Sequence, residues 1–133
     1  MRVLKLFIFL FTFSTLVTAQ NTTRKFEAIT KHPNFVEVNT NDGLYKIKPY
    51  SAKIIETTFI PKGEIFNTNS HAVVLKPDEV KFKVSENENE IKLNTLGIKV
   101  TITKAPFQIS YFYKGKELIS ERKGYVKNED NEV

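Results

Sequence analysis

The sequence predicts an all-β protein: an antiparallel β-sandwich, incomplete at its C-terminal end and preceded by a signal peptide. From Phe35 onward, apolar and polar residues alternate with a period of two. Turn-forming residues recur about every 8–12 positions, as in proteins built from many short strands. No convincing window has the periodicity of an amphipathic helix.

Residues Met1–Ala19 have the organisation of a cleavable signal peptide. Arg2 and Lys5 form a short positive region, an apolar run begins at Leu6, and Val17–Ala19 is a small-residue pattern that suits signal peptidase. The alternative is an uncleaved membrane anchor, but a bilayer span needs about 20 apolar residues, and hydroxyl side chains interrupt this stretch. Because the chain has no cysteine, it also has no thiol for a lipid anchor. We therefore expect an exported protein, periplasmic or secreted, with no stable membrane anchor.

The remaining chain is long enough for one small domain. Its composition divides it into a flexible lead-in at 20–34, a β-sandwich domain at 35–126 and a polar tail at 127–133, interpreted as a truncated continuation. The absence of cysteine means that no disulfide stabilises this domain. A periplasmic domain packed against a larger partner would tolerate that absence better than a free extracellular module.

Strands are predicted where β-branched and aromatic residues alternate with polar ones between turn signals. Asp42-Gly43 is a strong hairpin signal, and Pro49 indicates the end of a strand or an edge position. The predicted strands are Phe35–Val38, Leu44–Lys48, Ile54–Ile60, His71–Leu75, Lys81–Ser85, Glu90–Thr95, Ile98–Thr103, Phe107–Tyr113 and Glu117–Ser120.

The charge pattern argues against a nucleic-acid partner. Loss of Arg2 and Lys5 with the signal peptide lowers the formal net charge from +5 to +3. Basic and acidic residues are interspersed, and no basic stripe with interleaved aromatic residues occurs. The pattern is typical of a solvated, mixed-charge surface.

The sequence shows no signature of a metal site, a cofactor site or a nucleophilic triad. It has two histidines, His32 and His71, and no cysteine, whereas zinc sites need clustered His, Cys and carboxylate ligands. We expect His32 in an exposed loop and His71 packed in a strand. Ser70 and His71 are neighbours whose side chains would point to opposite faces of a strand, which does not make a triad. The five glycines are dispersed, so no phosphate-binding loop is present, and we expect no cofactor.

Paired carboxylates are the remaining sign of an enzyme, because glycoside hydrolysis uses two of them. Glu86, Glu88 and Glu90 cluster on and beside a turn, where they are expected to point into solvent. Asp78 and Glu79 follow a proline in a loop. Neither set lies in an identifiable pocket, and a calcium site of loop carboxylates has no support from their spacing.

Tyr111 and Tyr113 are the candidate binding residues. They share one face of a predicted strand, while Phe112 lies on the other. Exposed tyrosines can stack against sugar rings; the alternative is that they pack against a neighbouring sheet or domain.

Residues 35–126 resemble the N-terminal module of bacterial glycoside hydrolase family 31 enzymes of the α-glucosidase and α-xylosidase type, especially those of the Bacteroidetes. The resemblance rests on strand-and-turn motifs and includes no catalytic signature. These motifs are Asn41–Tyr50, Ile54–Phe59, Pro61–Glu64, Ser70–Leu75, Ala105–Tyr111, Lys114–Lys116 and Glu121–Tyr125.

The resemblance implies a galactose-mutarotase-like β-sandwich that packs on a (β/α)₈ barrel. In that family the barrel supplies both catalytic aspartates for retaining hydrolysis, and the sandwich continues beyond the position that matches Tyr125. We therefore assign no catalytic residue to this chain and expect it to be inactive alone.

Three hypotheses follow for the function. The first is the leading, non-catalytic part of an exported α-glucosidase-like hydrolase, with the catalytic barrel as its partner and α-linked oligosaccharides as possible ligands. The second is a stand-alone carbohydrate- or protein-binding sandwich that uses Tyr111 and Tyr113. A third is a structural partner that pairs its sheet edge with a separately encoded barrel. Open sheet edges would also make the isolated chain prone to association.

Overall fold

A computed structural model describes residues 23–66, 76 and 78–121 of the chain. The described residues form nine strands and no helix, so no helix among them could cross a membrane. The strands are β1 (Phe26–Lys31), β2 (Val36–Thr40), β3 (Gly43–Ser51), β4 (Ile54–Pro61), β5 (Lys83–Glu86), β6 (Glu90–Asn94), β7 (Ile98–Thr103), β8 (Gln108–Tyr113) and β9 (Lys116–Glu121).

The strands make two antiparallel sheets, each a simple meander. The first sheet has the order β1-β2-β3-β4 and the second has the order β5-β6-β7-β8-β9. Within each sheet, every strand pairs antiparallel with its neighbour in sequence. The predicted all-β antiparallel class is thereby confirmed.

One hydrophobic core lies between the inner faces of the two sheets. Alternation along β2, β3, β6 and β7 directs every second side chain into it, as the burial pattern of each strand shows. Across the core, the rings of Tyr45 and Phe107 lie 5.4 Å apart between centroids. The buried apolar residues are Val36, Val38, Tyr45, Ile47, Ile91, Leu93, Ile98, Val100, Ile102, Phe107 and Ile109.

A backbone clasp joins the two sheets at one end of the sandwich. The carbonyl oxygen of Ala52, in the β3–β4 turn, accepts hydrogen bonds from the Ile98 amide at 3.1 Å and from the Thr95 hydroxyl at 2.7 Å. Gly97 allows this approach, because a Cβ atom there would lie 2.6 Å from the same oxygen. We call Ala52, Thr95, Gly97 and Ile98 the clasp.

The predicted turns are present within the described residues. The β2–β3 hairpin turns at Asn41 and Asp42, directly before Gly43. Lys114 and Gly115 turn β8 into β9 with positive φ angles of 50° and 79°, a conformation that matches the twist of a tight hairpin.

Pro49 lies within β3, two residues before the strand ends, and not at its end. The pairing of β2 with β3 stops at Ile47, so Pro49 has a strand partner only on the β4 side, at Ile55. A register shift between Pro49 and Ser51 also loosens the pairing with β4 there. The strand thus continues three residues beyond its predicted end at Lys48, and Pro49 lies in the part of β3 that pairs with β4 alone.

The structure differs from the sequence prediction in the lead-in. Residues 20–34 were expected to be flexible, but Phe26–Lys31 form β1 and pair with β2. The predicted signal peptide, the strand His71–Leu75 with Ser70, and the tail at 127–133 lie outside the described residues.

Gly43 is a position where the fold leaves no room for a side chain. A Cβ atom would lie 2.4 Å from the Ile60 carbonyl oxygen and 2.6 Å from the Phe59 ring. We expect Gly43→Ala to lower the free energy of unfolding by about 1–3 kcal/mol through overpacking.

Chemical denaturation measures this effect. Ser85→Ala, at an exposed strand position, is the control and should change stability by less than about 0.5 kcal/mol. An unchanged denaturation midpoint for Gly43→Ala would contradict the close approach of β4 to this residue.

Candidate functional site

A polar cluster lies at the inner face of the sandwich, centred on Arg24, whose side chain is 2% exposed. Its Nε donates to both carboxylate oxygens of Asp42 at 2.9 Å, and its Nη2 donates to Oδ2 at 2.7 Å. Its Nη1 donates to the Tyr45 hydroxyl. The guanidinium also lies over the ring of Phe59, 4.3 Å from the centroid. Arg24 thus binds the β2–β3 turn and the inner faces of β3 and β4 at once.

The β2–β3 turn fixes Asp42 in position for this pair. The Thr40 hydroxyl lies 2.9 Å from Oδ1 of Asp42 and 2.8 Å from the Gly43 carbonyl oxygen. Burial alone would raise the pKa of Asp42, but hydrogen bonds from Arg24 and Thr40 outweigh it and hold the pKa below its usual value. Asp42 therefore remains ionised and serves as the counter-ion of Arg24.

Glu121, at the end of β9, extends the cluster to the second sheet. Burial raises the pKa of this carboxyl group, and the Tyr111 hydroxyl and the charge of Arg24 only partly offset that effect. The Tyr111 hydroxyl lies 3.4 Å from Oε1 of Glu121 and donates to the Thr57 hydroxyl on β4 at 2.6 Å. Burial also raises the pKa values of Tyr45 and Tyr111, so both phenols remain protonated hydrogen-bond donors.

The cluster joins two carboxyl groups to a guanidinium group and two phenols. The Asp42 carboxylate is bound by Arg24, and Glu121 contacts a tyrosine hydroxyl. Every buried polar side-chain atom among the described residues has a hydrogen-bond partner. These side chains hold the two sheets together.

The structure places the rings of the two candidate tyrosines, Tyr111 and Tyr113, on the inner face, packed against the core. Phe112 lies on the outer face, with the Lys99 ammonium 4.3 Å from its ring centroid. The predicted division of faces is confirmed. Sugar binding by these tyrosines stays a prediction, and the hydroxyl of Tyr111 is already engaged by Thr57.

The carboxylates proposed from the sequence are dispersed on the surface. Glu86 forms salt bridges with Lys104 at 2.9 Å and Lys31 at 3.8 Å, and Glu90 pairs with Lys92. Glu88 is exposed in the β5–β6 turn. No group of three potential metal ligands occurs within residues 23–66, 76 and 78–121.

The two histidines do not meet in a described site. His32 stacks on Phe35 with 4.1 Å between ring centroids, and its Nε2 lies 3.1 Å from a carboxylate oxygen of Glu37. It is partly buried in the β1–β2 connection, where an exposed loop residue was expected. His71 lies outside the described residues.

A groove of about 1210 Å³ lies at the clasp end of the sandwich. Pro33, Pro49, Phe82 and Leu96 contribute much of its apolar lining. Its carboxylates, those of Asp78 and Glu79, belong to consecutive exposed residues. The groove thus combines an apolar lining with two neighbouring acidic residues of one segment.

We expect removal of Arg24 to destabilise the fold because it leaves Asp42 without its counter-ion. Since Asp42 is 37% exposed, Arg24→Met should cost about 2–3 kcal/mol, less than the roughly 3–5 kcal/mol of a fully buried pair. The double variant Arg24→Met/Asp42→Asn should recover part of this loss. Thermal unfolding of the wild type, both single variants and the double variant measures the coupling; strictly additive effects would contradict the pairing.

Comparison with known proteins identifies a matching protein family and a related enzyme. The family model described as the glycosyl hydrolase 31 N-terminal galactose mutarotase-like domain matches residues 44–132. Alpha-glucosidase 2 of Bacillus thermoamyloliquefaciens is 35% identical over 82 residues, which cover 61% of this chain and 10% of that protein.

A solved GH31 dextranase of Flavobacterium johnsoniae, a mutant in complex with isomaltotriose, shares the fold with a TM-score of 0.71 at 23% identity. The match covers 81% of this chain and 14% of the dextranase, so the chain spans a small part of both relatives. The family match covers more than half of the chain, and the chain therefore belongs to the family of N-terminal galactose mutarotase-like domains of glycosyl hydrolase 31 enzymes.

Proposed function

We propose that the chain is the non-catalytic N-terminal module of an exported α-glucosidase-like glycoside hydrolase, and that its partner is a catalytic (β/α)₈ barrel outside this chain. The family match over residues 44–132 is the observation that carries the proposal. The organisation of Met1–Ala19 as a signal peptide supports export to the periplasm or the medium.

The chemistry of the described residues supports a structural role. Retaining or inverting hydrolysis needs two carboxyl groups facing each other about 5–9.5 Å apart across the substrate. Among the described acidic residues, Asp42 is bound by Arg24, Glu86 by two lysines and Glu90 by Lys92. Glu121 points toward Tyr111 between the sheets.

The names of the two relatives support a proposal for the substrate class of the whole enzyme. One is named an α-glucosidase, and the other is a dextranase in complex with isomaltotriose. We therefore propose α-linked glucose oligosaccharides as the substrates of the enzyme to which this module belongs.

The purified full chain should not hydrolyse aryl α-glucosides, because the proposal places both catalytic carboxylates on the partner barrel. Release of the aryl group is followed by absorbance, with an intact family-31 α-glucosidase as the positive control. Activity that co-purifies with the chain through several chromatographic steps would overturn the proposal.

The alternative function, a sugar-binding sandwich, follows from the partly exposed ring of Tyr113. Under the proposal made above, titration with maltotriose or isomaltotriose should leave the tyrosine fluorescence unchanged. Saturable binding that Tyr113→Ala abolishes and Tyr50→Ala preserves would instead establish the alternative. Tyr50 is a suitable control because it is a partly exposed tyrosine on the first sheet, away from β8.

A further inference from the structure

The segment before β1 is bound to the β2–β3 hairpin by its backbone as well as by the side chain of Arg24. Asn41 donates from Nδ2 to the Thr23 carbonyl oxygen at 2.9 Å, and its Oδ1 accepts from the Lys25 amide at 2.7 Å. The backbone amide of Asn41 donates to the Lys25 carbonyl oxygen at 3.1 Å. One asparagine therefore holds the backbone on both sides of Arg24. We call Thr23–Lys25 the arm.

Arg24 is the residue of the arm that enters the sandwich. Arg24 is 4% exposed, whereas Thr23 and Lys25 are exposed. A register shift between Phe26 and Ala28 separates the arm from the regular pairing of β1 with β2. The arm thus contacts the domain as a bound peptide does, through its backbone and one inserted side chain.

The contacts of the Arg24 side chain match the shape of a guanidinium group. Nε and Nη2 both donate to the Asp42 carboxylate, and Nη1 donates to the Tyr45 hydroxyl. The flat face of the group lies over the Phe59 ring. A lysine ammonium is a single point of charge and cannot make this set of contacts. The site is therefore specific for arginine among the basic side chains.

The groups that bind the guanidinium are also held by contacts within the rest of the chain. The Thr40 hydroxyl lies beside Oδ1 of Asp42, and the Lys62 amide donates to the Asp42 carbonyl oxygen at 2.9 Å. The ring of Tyr45 packs on the ring of Phe59 with 4.7 Å between centroids. A site whose groups are already positioned loses little conformational entropy when it takes a ligand.

We propose that the β2–β3 hairpin, together with Phe59, is a recognition site for an arginine within a peptide, and that the arm occupies this site as a ligand supplied by the same chain. Asn41 binds the peptide backbone, and the acceptors of Asp42 and Tyr45 select the guanidinium group. The site accepts a second ligand of the same chemistry when the arginine side chain of the arm is removed. The inference does not rest on the proposed function, because the aryl α-glucoside assay is indifferent to this site.

Chemical rescue of the full-length Arg24→Ala variant tests the guanidinium site. Ethylguanidinium has the structure of the side-chain part that this substitution removes. We expect it to bind saturably and, at about tenfold its dissociation constant, to raise the thermal midpoint of the variant by roughly 5–10 °C. Ethylammonium at the same concentration is the matched control and should give no saturable rise. The wild type, in which Arg24 fills the site, should respond to neither cation.

A peptide titration tests recognition of the arm as a ligand. The full-length variant Thr23→Gly/Arg24→Gly/Lys25→Gly keeps the chain length but removes the side chains of the arm. Isothermal titration should show saturable binding of N-acetyl-Thr-Arg-Lys-amide to this variant. Replacing the arginine of the peptide by lysine should weaken binding at least tenfold. Adding Asp42→Asn to the variant should have a similar effect, because the carboxylate acceptor is lost.

Ligand-dependent refolding provides the measurement if a variant does not fold alone. Ethylguanidinium should then restore the circular dichroism spectrum of Arg24→Ala on refolding, and ethylammonium should not. No response to ethylguanidinium, equal responses to the two cations, or an undiminished response after Asp42→Asn would overturn the proposal. Rescue by ethylguanidinium without binding of the arginine peptide would overturn its assignment as a peptide site.

Discussion

Burial of the Arg24 guanidinium between the sheets is the constraint on which the rest of the arrangement depends. A buried cation requires a counter-ion and hydrogen-bond acceptors, and the β2–β3 hairpin presents Asp42 and Tyr45 at the right place. The ring of Phe59 brings β4 into the same cluster. Tyr45 also packs against Phe107, which precedes β8. Tyr45 therefore links the segment before β1 to the second sheet.

The same cluster gives chemically versatile side chains a structural role. Tyrosine, arginine and carboxylate side chains converge between the sheets, as they do in many active sites. Here, however, each hydrogen bond joins one element of the sandwich to another: Arg24 to the hairpin, and Tyr111 to Thr57 across the core. The hydrogen bonds of these groups hold the elements of the sandwich together.

The regular part of the fold could be predicted from the sequence because alternation is a local signal. The bounds of Ile98–Thr103 were predicted to the residue, and every second residue of this strand is buried. The strand Phe26–Lys31 was missed because its residues do not alternate between buried and exposed, and a register shift between Phe26 and Ala28 breaks the period of two. β1 thus carries a weaker local signal than the inner strands β2, β3, β6 and β7.

The polar cluster could not be predicted by the same means. Arg24 and its partners are 18 and 21 residues apart, and no spacing rule connects a single arginine in a polar segment to a hairpin turn. Asp42 was interpreted only as a turn residue, a role it also has. Its second role, as the counter-ion of Arg24, depends on the packing of the segment before β1 against the β2–β3 hairpin. That packing is a tertiary contact, which a local sequence pattern does not reveal. The shared face of Tyr111 and Tyr113, in contrast, followed directly from strand geometry.

The clasp has a mechanical consequence for the sandwich. At that end, the carbonyl oxygen of Ala52 in the first sheet accepts hydrogen bonds from Thr95 and Ile98 of the second sheet. Because Gly97 has no side chain, the two backbones can approach each other closely there. Two layers held at one end by backbone hydrogen bonds cannot slide past each other there, whereas side-chain packing elsewhere yields more easily. The two ends of the sandwich are therefore held in different ways: backbone hydrogen bonds join the sheets at the clasp beyond Ser51, and side chains around Arg24 and Asp42 join them at the opposite end of β3.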